Sequence, residues 1–63
     1  MDRNEKLAEI ERKAIEELKH HSQIWEREIM GVIAYHLSVS KLETSVLEVD
    51  TMYDNVCKAL RNR

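Results

Sequence analysis

The sequence predicts an all-α protein. Its expected form is one long amphipathic helix, with a kink near residues 31–40, or a two-helix hairpin, assembling in either case as a coiled coil or helical bundle. Three observations predict this. The chain has no proline and one glycine among 63 residues, so it lacks the turn residues that a small β domain needs. Its apolar residues recur at steps of three and four. Acidic residues lead and basic residues close the chain, which suits the dipole of a helical unit running nearly end to end.

The start is marked by Asp2 and Glu5, which have capping-box spacing. Glu9–Lys13 and Asp54–Lys58 are correctly oriented pairs four residues apart. Lys58, Arg61 and Arg63 favour the negative pole at the far end. Between these ends the apolar order is Leu7, Ile10, Ala14, then Ile15, Leu18, Ser22, Trp25 and Ile29. It continues as Val32, Tyr35, Val39, Leu42, Val46, Val49, Tyr53, Val56 and Leu60. From Val32 onward threes and fours alternate without a miss, which is a heptad seam over residues 32–60. Upstream the phase slips twice, near residues 14–18 and 29–35, and Gly31 lies inside the second slip.

Residues 29–40 carry no charge. Met30, Ile33, Ala34 and Leu37 lie off the main seam, so a belt over residues 24–37 is apolar on more than one side. Such a belt needs a bundle of three or more helices, or a partner. Along one flank of the seam stand Gly31, Ser38, Ser45, Met52 and Ala59, mostly small residues that admit a close neighbour. Candidate turns fall at residues 19–23 and 38–41, the latter supported by the Ser40–Glu43 spacing. Against a turn at 38–41, the heptad phase passes through Val39 and Leu42 unbroken.

A chain this short forms at most one domain, here a single assembly module over residues 1–63, and alone it buries only roughly 60% of its unfolded surface. Its formal charge of −2 lacks the basic footprint of a nucleic-acid binder. The uncharged run is too short to span a bilayer. The opening Met-Asp-Arg-Asn-Glu-Lys shows neither a secretion nor a lipidation signal, and a single cysteine fits a reducing compartment, so a cytoplasmic or otherwise intracellular protein is expected.

Chemistry finds little to work with. Glu17 and His20 have the Glu-x-x-His spacing of di-iron bundles, but they flank Leu18 and read as a solvated face. His21 and His36 read as boundary residues, and Cys57 as packing. No catalytic set, cofactor or metal site is expected, and no nucleic acid, membrane or small-molecule substrate. The residues expected to carry function are an interface: Leu18, Trp25, Ile29, Val32, Tyr35, Val39, Leu42, Val46, Val49, Tyr53, Val56 and Leu60. Trp25, if buried, would be the costliest truncation, at about 3 kcal/mol or more. Val46→Asp and Val49→Asp should each abolish association by placing an unpaired charge in the seam. The expected function is that of a non-catalytic assembly or scaffold subunit, partnered by protein as a homo-oligomer or within a helical hetero-complex. The alternative is a small regulator whose helix occupies a groove of an enzyme or transcription factor.

Overall fold

Asp2 opens the first helix by accepting a hydrogen bond from the Glu5 N–H at 2.8 Å. A computed structural model of the protein describes residues 2–62, so Arg63 lies outside the described residues. Among them the chain forms α1 (Arg3–Leu18), α2 (Glu26–Ser40) and α3 (Val46–Arg61), and no strand. The single long helix and the two-helix hairpin are therefore both corrected to a packed three-helix globule. The first connection, 19–25, contains the candidate turn at 19–23, whereas the second runs 41–45 and includes only Lys41 of the candidate at 38–41, since Ser38, Val39 and Ser40 are helical.

The reason lies in how each helix distributes its apolar residues. Every helix contributes three buried residues at steps of four: Ile10, Ala14 and Leu18; Ile29, Ile33 and Leu37; Met52, Val56 and Leu60. A continuous helix would leave these stripes in water, or dependent on other chains. Folding back buries them against one another, and the middle members Ala14, Ile33 and Val56 are wholly buried. Leu7, Ile15, Ile24, Val32, Leu42, Val49, Tyr53 and Cys57 pack around them.

The helices run up, down and up. Arg3 reaches Glu48, and Asn55 Nδ2 donates to Glu11 Oε2 at 3.1 Å, so α1 and α3 lie parallel. His21, just past the end of α1, lies 3.8 Å from Glu28 in the first turn of α2, and Ser40 at the end of α2 shares a groove with Lys6 and Ile10 of α1, so α2 runs antiparallel to α1. The Glu9–Lys13 pair closes at 3.5 Å along α1.

The second turn is built by two reciprocal signals. Leu42 N–H donates to the Leu37 carbonyl and Lys41 N–H to that of Ser38, both at 3.1 Å. Lys41 sits between them in the left-handed region, with φ 55. This is a Schellman ending, and its apolar partner is Leu42, packed against the core near Leu37. On the far side, Ser45 caps α3. Its hydroxyl accepts from the Glu48 N–H at 3.2 Å, and Glu48 Oε1 accepts from the Ser45 N–H at 3.0 Å. The capping box is thus Ser45–Glu48 and not Ser40–Glu43.

Lys41 occupies a conformation that costs a residue with a Cβ roughly 1–2 kcal/mol. Lys41→Gly removes that cost but frees the unfolded chain, a loss of about 0.4–1 kcal/mol. A net gain of roughly 0.5–1 kcal/mol is expected in urea denaturation at low protein concentration. No change, or a loss, would show that the left-handed turn is not populated.

Glu48 is the electrostatic knot of the fold. The Arg3 guanidinium, which also donates to the Glu43 carbonyl at 2.9 Å, grips both its carboxylate oxygens. Arg3 first and the Ser45 N–H second hold the Glu48 carboxyl down at about 2, against 4.5 ordinarily. A carboxyl whose pKa is depressed by folding stabilises the fold above its unfolded value, and that contribution disappears as pH falls through the folded value. Stability is therefore expected to drop between about pH 5 and pH 2. Glu48→Gln should be less stable than the parent at pH 6 and should lose less on acidification. Parallel urea midpoints at pH 6 and pH 2.5 check this; identical acid losses in the two proteins would refute it.

Candidate functional site

With Ile29, Ile33 and Leu37 turned inward, α2 must turn another face to solvent. That face is Met30, Gly31, Ala34, Tyr35, Ser38 and Val39, every one exposed. It spans the charge-free run, which is closed by Arg27 and Glu28 at one end and Lys41 at the other. Tyr35 is 63% exposed and Val39 62%. Isolated exposed apolar residues are ordinary, but an uncharged face along most of one helix is not.

Trp25 extends the apolar surface at its N-terminal end. It occupies the N-cap of α2, makes no side-chain cap hydrogen bond, and is 56% exposed. Ser, Thr, Asp or Asn would satisfy an orphan N–H there. Instead Glu26 and Glu28 in the first turn offset the positive pole. A side chain that fails its local task is most informative at a surface, where function and not folding can explain it.

The twelve expected interface residues fall into three groups. Leu18, Ile29, Val56 and Leu60 are buried in the protein's own core. Val32, Leu42, Val49 and Tyr53 are half-buried around it. Trp25, Tyr35, Val39 and Val46 are exposed. Of these four, Trp25, Tyr35 and Val39 belong to α2 or its cap, whereas Val46 opens α3 beside the exposed Leu47. Sequence reasoning missed Met30, Gly31, Ala34 and Ser38 as one exposed face. The available signal was the position of Gly31 and Ser38, with Tyr35, across the helical wheel from Ile29, Ile33 and Leu37; Met30 and Ala34 stand at the edge of the buried stripe.

Beside this face runs a shallow groove between α1 and α2. Leu18, Gly31, Val32 and Tyr35 line it, with Glu17, His21 and Glu28 alongside. His21 Nδ1 lies 3.8 Å from Glu28 Oε2. His36 Nε2 lies 2.7 Å from Glu17 Oε1, and its ring meets Tyr35 edge-on at 5.4 Å. Glu17 is thus drawn across to α2 by His36. Among the described residues no cluster of three or more His, Cys, Asp or Glu side chains gathers that could hold a metal ion.

A second groove, between α2 and α3, is lined by residues including Ile29, Tyr53, Cys57 and Leu60, with Glu26 and Arg61. Burial pushes the Tyr53 phenol well above its ordinary value, and hydrogen bonding to Cys57 and Glu26 adds to the shift. No helix is long and apolar enough to cross a membrane among the described residues. Compared with known proteins, the chain matches no family model, no curated protein and no solved structure.

Proposed function

We propose that this chain is a non-catalytic helical assembly subunit that joins a partner helix through the outer face of α2. The observation that carries the reading is the uncharged, exposed surface formed by Met30, Gly31, Ala34, Tyr35, Ser38 and Val39. The mechanism is burial of that surface, with Tyr35 and Trp25 as the large amphipathic anchors that tend to dominate association energies. The expected interface therefore shifts from a seam over residues 32–60 to one face of one helix. The core triplets stay inside the protein and supply the rigid scaffold.

Site-specific photo-crosslinking in the producing cell tests the proposal. A photoreactive phenylalanine analogue at position 35 should give discrete protein adducts. The same group at the exposed position 13 of α1 should not. Adducts that are equally sparse from both positions would overturn it. A single foreign adduct that is an enzyme or transcription factor, with altered activity when the chain is bound, would favour the regulator over the assembly subunit.

A further inference from the structure

We draw no further inference here: the strongest candidate, the uncharged outer face of α2 around Gly31, Tyr35 and Ser38, already carries the assembly reading, and nothing in the structure shows what covers it.

Discussion

Val56→Asp unfolds the protein, whereas Val46→Asp leaves its helix content intact and its stability within about 0.5 kcal/mol. Both valines lie on the same run of threes and fours, so a continuous heptad seam would make the two substitutions equivalent. The three-helix fold separates them. Val56 is wholly buried in the middle of its helix's inward stripe, while Val46 is 78% exposed in the first turn of α3. An aspartate at position 56 has no partner in an apolar centre, where an unpaired charge costs several kcal/mol. A domain of this size commands roughly 3–9 kcal/mol in total. At position 46 an aspartate meets the positive pole of α3, which is mildly favourable. Far-ultraviolet circular dichroism and urea denaturation at low protein concentration distinguish the outcomes. Equal damage from both changes would restore the seam and remove the bundle.

Ile33→Ala lowers stability by about 3–4 kcal/mol, and Trp25→Ala by less than about 2 kcal/mol. This reverses the order expected from side-chain size alone. Ile33 is buried completely between Ile29 and Leu37, and its truncation leaves a cavity that three rigid helices cannot collapse. Trp25 stands in the first interhelical connection with more than half its surface in water, so the condition for its large cost is not met. Guanidinium unfolding of the two variants, at a concentration where the parent is monomeric, gives the comparison. A larger loss for Trp25→Ala would mean that the tryptophan is packed inside.

These contrasts show which parts of the fold were legible. Helical class followed from the absence of proline and the spacing of apolar residues, and the Asp2 cap was readable from Asp2 and Glu5. The second turn was hidden by a coincidence of period. Leu42 is apolar because a Schellman ending wants an apolar residue five positions after Leu37. That same position continues the heptad from Val39. The left-handed residue, Lys41, is not the glycine that usually marks such an ending. Ser45 and Glu48 carried the compensating signal, in competition with an equally spaced Ser40 and Glu43. In the candidate site, the charge-free run was visible but its orientation was not. Tyr35 and Val39 share the steps of three and four with Val32, while Ile33 and Leu37 lie on the opposite side. Only packing against α1 and α3 decides which side is wet.

The grip of Arg3 on Glu48 also has a kinetic consequence. It ties residues 45 positions apart, whereas the antiparallel pairs α1–α2 and α2–α3 are neighbours in sequence joined by short turns. Closing the longer loop costs more chain entropy, so the short-range pairs are expected to organise the folding transition state and the clamp to close after it. An interaction formed that late acts on escape from the native state rather than on entry to it. Loss of Arg3 should therefore steepen nothing in the refolding limb of a chevron plot, but should raise the whole unfolding limb. The clamp at the parallel ends of α1 and α3 works as a latch that sets how long the bundle stays shut.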